Sequence, residues 1–187
     1  MSEVEDHAEL VDRFHELGVI LDLAHASRGA YDEMLERGAG APVLCSHGAC
    51  SAVHETPRNL DDDQLRRLAD AGGLLGLMLH PIAIGLERRT LDGVVDHLDH
   101  AVSVMGVERV CLGGDFTTRL WQAMPPPPIP KDGLMPPGLE PGMGIEGLTG
   151  SEHYPALVER LEARGWGAEE IAAVTGGNLL RFLRASL

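Results

Sequence analysis

Apolar and polar positions change period several times along the chain, and each change marks a predicted element. Between residues 7 and 17, Leu10, Val11, Phe14 and Leu17 share one face of a helix, and Gly18 stops it. Val19-Ile20-Leu21-Asp22-Leu23-Ala24-His25 is then nearly continuous apolar chain of strand length, the pattern of a strand buried on both faces. A helix follows over 27–38, ending at Gly38, and a second short strand over Pro42–His47. Asp61 with Gln64 three residues later has the form of a capping box, opening a helix that runs to about Ala71. Leu74–Leu79 reads as a third strand, residues 91–105 as an amphipathic helix stopped at Gly106, and Arg109–Asp115 as a fourth strand.

The strands start about 30 residues apart, the length of a βα unit. The fold class is therefore α/β, with about four parallel strands. Periodicity alone leaves open whether these form half of a closed barrel or a small open sheet. Residues 117–150 break the pattern. Pro125–Pro128, Pro130, Pro136, Pro137 and Pro141, with interspersed glycines, predict a long loop, either a lid over a site or a surface insertion. The tail returns to helix over Pro155–Arg164, 168–174 and Leu179–Ala185, with Asn178 placed as an N-cap. Residues 1–187 are read as one partial domain.

Composition adds exclusions. With 44% apolar and 24% charged residues the chain can bury a core. A formal net charge of −14 opposes binding to nucleic acid or to anionic lipid. The start, Met1-Ser2-Glu3-Val4-Glu5-Asp6, lacks a basic, apolar leader, and no stretch reaches the roughly 20 apolar residues of a membrane span. Cys45, Cys50 and Cys111 are odd in number and irregular in spacing, which fits free buried thiols and a cytoplasmic location.

Chemistry is expected where apolar strands end in titratable groups. His25 ends the first strand, His47 the second and Asp115 the fourth, and in parallel α/β folds the carboxyl ends of strands are where sites are built. Two imidazoles on neighbouring strand ends suit a metal ion, and a carboxylate beside them suits proton transfer. Arg58, in the loop after the His47 strand, has the fork geometry for a substrate carboxylate. His80 ends the third strand and is a weaker candidate for the same rim. Asp22 is a loosely held orienting partner, since strand alternation turns it away from His25. His7, His15, His97 and His100 lie on predicted helices and are expected to face solvent.

Several strings together resemble the membrane dipeptidase (renal dipeptidase) family of zinc metallopeptidases. They are Gly18–His25, Pro42–His47, Pro57-Arg58-Asn59-Leu60 with Asp62, and Gly113-Gly114-Asp115-Phe116. Tyr154–Leu157 and Gly176–Arg181 match as well, in the same order. The resemblance implies the C-terminal half of a (β/α)8 TIM-type barrel. It implies a dipeptidase that hydrolyses dipeptides with metal-activated water, often tolerating a D-residue at the C-terminal position. By resemblance His25 and His47 are metal ligands, Arg58 binds the substrate's terminal carboxylate, and Asp115 is the catalytic acid–base group. The family's complete site holds two zinc ions, and this chain matches ligands for one of them. The family's His-x-Asp pair, its bridging glutamate and a further substrate histidine belong to the first barrel half and have no match. The usual Asp-Phe-Asp-Gly reads Asp115-Phe116-Thr117-Thr118. The expected partners are accordingly a small dipeptide and either a complementary N-terminal half or a second copy of the chain. The rival expectation is a non-catalytic half-barrel acting as a scaffold.

Overall fold

The structure is a computed structural model in which residues 3–38, 40–123, 137–140 and 142–187 are described. Its frame is a four-stranded parallel sheet in the order β1-β2-β3-β4, that is, Leu21–Asp22, Val43–Gly48, Leu74–Met78 and Val110–Gly114. Sequential order with a helical crossover at each step is a sector of a (β/α)8-type barrel. Helix α1 (Glu3–Glu16) leads into β1, α2 (Arg28–Arg37) joins β1 to β2, and α3 (Asp62–Asp70) joins β2 to β3. Between β3 and β4 lie a one-turn helix α4 (Pro81–Ile84) and the long α5 (Leu91–Met105).

Local chemistry explains most boundaries. Ser27 caps α2, its side chain accepting from Ala30 N at 3.3 Å. The Asp61–Gln64 capping box is formed in both directions, Gln64 N to Asp61 Oδ1 at 2.8 Å and Asp61 N to Gln64 Oε1 at 3.2 Å. Thr90 caps α5, and Gly106 ends it at φ 85°, a conformation glycine adopts without a Cβ penalty. Central β3 is buried at all five positions, as a strand covered on both faces must be. Val94, Leu98, Ala101 and Met105 of α5 pack against that core.

Four expectations need correcting. The first strand spans only Leu21–Asp22, because it pairs on one side alone. Leu23 N still reaches Leu44 O at 2.8 Å, after which the chain turns, so His25 lies beyond the strand rather than at its end. The loop expected over 117–150 contains a helix, α6 (Thr118–Ala123), and its second part is anchored by buried Leu139, Ile145 and Leu148. Pro125–Pro128, Pro130, Pro136 and Pro141 lie outside the described residues, and with them most of the expected lid. His97 does not face solvent; it is 0% exposed, because its helix packs that side onto β2's outgoing loop.

Asn178 is not an N-cap. After α7 (Tyr154–Ala163) and α8 (Ala168–Ala172), a π-type turn over Ala173–Gly177 runs into α9 (Asn178–Ser186), where Asn178 is already helical. Its buried amide instead donates to Val107 O at 2.6 Å and Val110 O at 2.7 Å, tying the last helix to the entry of β4. All three cysteines are buried and free, and burial pushes each thiol up to about 12. Among the described residues no helix is long and apolar enough to cross a membrane.

Candidate functional site

Several backbone irregularities of the molecule lie at the carboxyl ends of its strands. Register shifts occur between Cys45 and Gly48 on β2 and between Leu77 and Met78 on β3. Two described residues other than glycine have positive φ, His25 at 66° and Asp115 at 56°. A left-handed residue with a Cβ costs about 1–2 kcal/mol, so two of them at one rim point to a demand other than folding.

His25 contacts both His47 and Arg58. His47 Nε2 lies 2.9 Å from His25 Nε2, the rings meeting edge to face at 67° with centroids 4.8 Å apart. Arg58 Nη1 lies 2.7 Å from His25 Nδ1, and Ser46 Oγ lies 2.9 Å from His47 Nδ1. These contacts fix proton positions. A guanidinium only donates, so His25 Nδ1 accepts and its proton sits on Nε2. His47 Nε2 then accepts that proton's bond, and His47 Nδ1–H donates to Ser46 Oγ. Behind Ser46, Asp22 Oδ1 accepts from Ser46 N at 2.9 Å and from Ala24 N at 3.0 Å. Asp22 thus reaches the site through Ser46, a residue the sequence did not single out, while strand alternation does not relate it to His25, which lies beyond the strand.

The electrostatics follow. His25 stands at the exposed rim, yet partial withdrawal from water lowers its pKa, and the neighbouring Arg58 and His47 lower it further; Asp115 and Asp22 offset part of this. For Asp22, burial alone raises the pKa, but the hydrogen bonds from Ser46 and Ala24 and the charge of His47 outweigh it, so the net shift is downward. His80 is lowered by burial first, with Asp115 raising it and Arg58 lowering it. The Asp115 charge therefore acts on both His25 and His80, at the same rim.

A cavity of about 1000 Å³ is lined by His25, His47 and Arg58 and also by Arg28, Asp61 and Gln64. Asp115 lies outside that lining. Of the four residues singled out in the sequence, His25, His47 and Arg58 line one pocket, and Asp115, just past the end of β4, acts on His25 through its charge. His80 joins Asp115 while capping α4, its Nδ1 accepting from Ile82 N at 3.3 Å.

The two Nε2 atoms are suited to one metal ion. Zinc bound at about 2.0–2.1 Å by each, at a tetrahedral angle, sets them roughly 3.3 Å apart, a few tenths more than here. The donor set fits two positions of such a centre. No group of three or more His, Cys, Asp or Glu disposed to hold a metal occurs among the described residues.

Residues 7–123 and 139–186 match the family described as membrane dipeptidase, peptidase family M19. Dipeptidase 3 of Rattus norvegicus is 32% identical over 180 residues, covering 94% of this chain and 32% of that protein. An uncharacterized dipeptidase of Schizosaccharomyces pombe is 31% identical over 176 residues, covering 92% of this chain and 37% of the other. A metallo peptidase from Rhodobacter sphaeroides, solved with a phosphinate mimic of the dipeptide L-Ala-D-Ala, superposes with a TM-score of 0.77 at 24% identity, over 96% of this chain and 46% of that one. The chain thus spans about a third of the length of these curated relatives and under half of that solved one.

Proposed function

The chain belongs to the membrane dipeptidase family, peptidase family M19, and from that premise we propose that it carries the C-terminal half of a metal-dependent dipeptidase site. The observation that supports this most is the convergence of His25, His47 and Arg58 on one pocket, with the charge of Asp115 acting on His25. The ligand set is to be completed by residues from the rest of the barrel, on the same polypeptide or on another. Zinc is one of the ions that imidazole ligands suit.

His25 and His47 would hold the metal, whose chemistry is to polarise the scissile carbonyl and make water a competent nucleophile near neutral pH. Arg58 leaves His25 Nδ1 to receive the substrate's terminal carboxylate through two parallel hydrogen bonds. Its departure lets the His25 proton return to Nδ1, where it frees the Nε2 lone pair. Ser46 Oγ, held in place by the Asp22–Ser46 amide contact, keeps His47 in the tautomer with Nε2 free. Asp115 takes a proton from the attacking water and delivers it to the leaving amine. The substrate is a dipeptide with a free carboxylate. A D-residue at that end is tolerated if the cavity beside Arg58 receives its side chain.

The test is His47→Ala in the chain complemented with an N-terminal barrel half. Zinc content measured by mass spectrometry should fall, and L-Ala-D-Ala hydrolysis should be lost. Unchanged metal content and turnover would leave this half-barrel as a scaffold with its chemistry elsewhere.

A further inference from the structure

Arg58 stands on a segment, residues 49–60, that leaves β2 and returns to α3. A long side chain on a loop meets a carboxylate in bidentate geometry only if its backbone is fixed. The loop's own bonds fix its shape. Leu60 N donates to Ala49 O and Ser51 N to Leu60 O, both at 2.8 Å, closing a parallel bridge between Cys50 and Leu60. Asn59 N donates to Thr56 O at 3.0 Å, and Arg58 N to Thr56 Oγ1 at 3.3 Å.

Two buried side chains fix its place. Asn59, 7% exposed, donates through Nδ2 to His54 O and to Ala83 O of α4, both at 2.8 Å. His97 reaches from α5, and its Nδ1 accepts from Cys50 N at 3.1 Å. Core filling does not account for either residue. Asn59 Oδ1 is buried without a hydrogen-bond partner and so retains a desolvation cost that an apolar residue would avoid, and a fully buried imidazole is likewise costlier than an apolar residue. What each provides is a tether at one foot of the loop, beside Arg58 in one case and at Cys50 in the other. The Asn59 tether ends on α4, the short helix that begins with His80 at the rim.

We infer that Asn59 and His97 are positioning residues for Arg58, holding the guanidinium where it selects ligands with a free terminal carboxylate. This rests on the reading of Arg58 as the carboxylate-binding group. His97 acts as an acceptor, so it works as a neutral imidazole, in keeping with its burial.

The experiment compares binding of L-Ala-D-Ala and of its C-terminal amide, by calorimetry, to the wild-type chain and to Arg58→Ala, Asn59→Ala, His97→Ala and His97→Asn. The wild type should prefer the carboxylate. Asn59→Ala and His97→Ala should lose that preference by roughly tenfold with amide binding unchanged. His97→Asn, whose carbonyl oxygen can take the Cys50 amide, should restore it. A carboxylate-to-amide ratio that stays at the wild-type value in both alanine variants overturns the inference, and so does an equal loss of both ligands, which marks a merely structural role. Should Asn59→Ala fail to fold by circular dichroism, the two His97 variants decide. If wild type and Arg58→Ala bind both ligands alike, the Arg58 reading itself fails, and this inference with it.

Discussion

At the scale of single residues, the site is built from side chains whose protons are directed. Arg58, His25, His47 and Ser46 form a one-way series of donors and acceptors because the first member cannot accept. Lysine keeps the charge of Arg58 but not the planar fork, so Arg58→Lys should raise KM for a dipeptide by about tenfold or more with a smaller change in kcat. Asp115 is half-buried and makes no hydrogen bond or ion pair with a described residue, so its substitution should leave the fold intact. Asp115→Asn should lower kcat in the complemented enzyme by roughly 10²–10⁴-fold with melting temperature unchanged, as measured by steady-state kinetics and calorimetry. His97 contributes to acid sensitivity. Burial holds its pKa down to about 4, with the Ile84 carbonyl and Asp96 opposing and His54 and His100 assisting. Unfolded, it titrates near 6.5. Below that value the unfolded chain binds a proton that the native chain refuses. The contribution of neutral His97 is therefore fully present above about 6.5 and is lost as pH falls toward 4, by up to about 1.4 kcal/mol per pH unit. Urea unfolding followed across this window should show the loss, and His97→Asn should flatten it.

At the scale of elements, what was legible in the sequence is what local chemistry decides. The capping box at Asp61, the glycine stop at Gly106 and the boundaries of α5 were all readable, because cap oxygens and glycine freedom act over a few residues. Asp61→Ala removes both the box and the ion pair to Arg28, and should destabilise the chain by about 1–2 kcal/mol in chemical denaturation. Features that depend on distant partners were not legible. Nothing near Asn178 announces that its amide serves Val107 and Val110, and nothing near His97 announces the Cys50 amide. The shortness of β1 follows from a neighbour on one side only. The left-handed turns at His25 and Asp115 give no sequence signal of their own, although His and Asp are among the residues that tolerate them. Close strand approach at the rim was equally hidden. A Cβ on Gly76 would stand 2.1 Å from Ser46 O, the backbone next to His47. Gly76→Ala should therefore cost about 3 kcal/mol or more and weaken metal binding in any protein that still folds, by calorimetry and metal titration.

At the scale of the whole molecule, the chain is a sector of a barrel. The four strands were readable from apolar runs at βα spacing, while closure into a half-barrel became evident from strand order and from the superposition on longer relatives. Two imidazoles are one ligand short of the usual three for a catalytic metal, and no group of three or more possible ligands occurs among the described residues. On the proposed reading, activity is a property of the completed barrel. The most direct measurement is hydrolysis of L-Ala-D-Ala, with zinc supplied, by this chain combined with the N-terminal half of the Rhodobacter sphaeroides relative. Turnover that appears only on mixing and vanishes with His47→Ala is the predicted result. A combined protein that folds and loads zinc but cleaves no dipeptide, or one whose turnover is indifferent to His47, would contradict it.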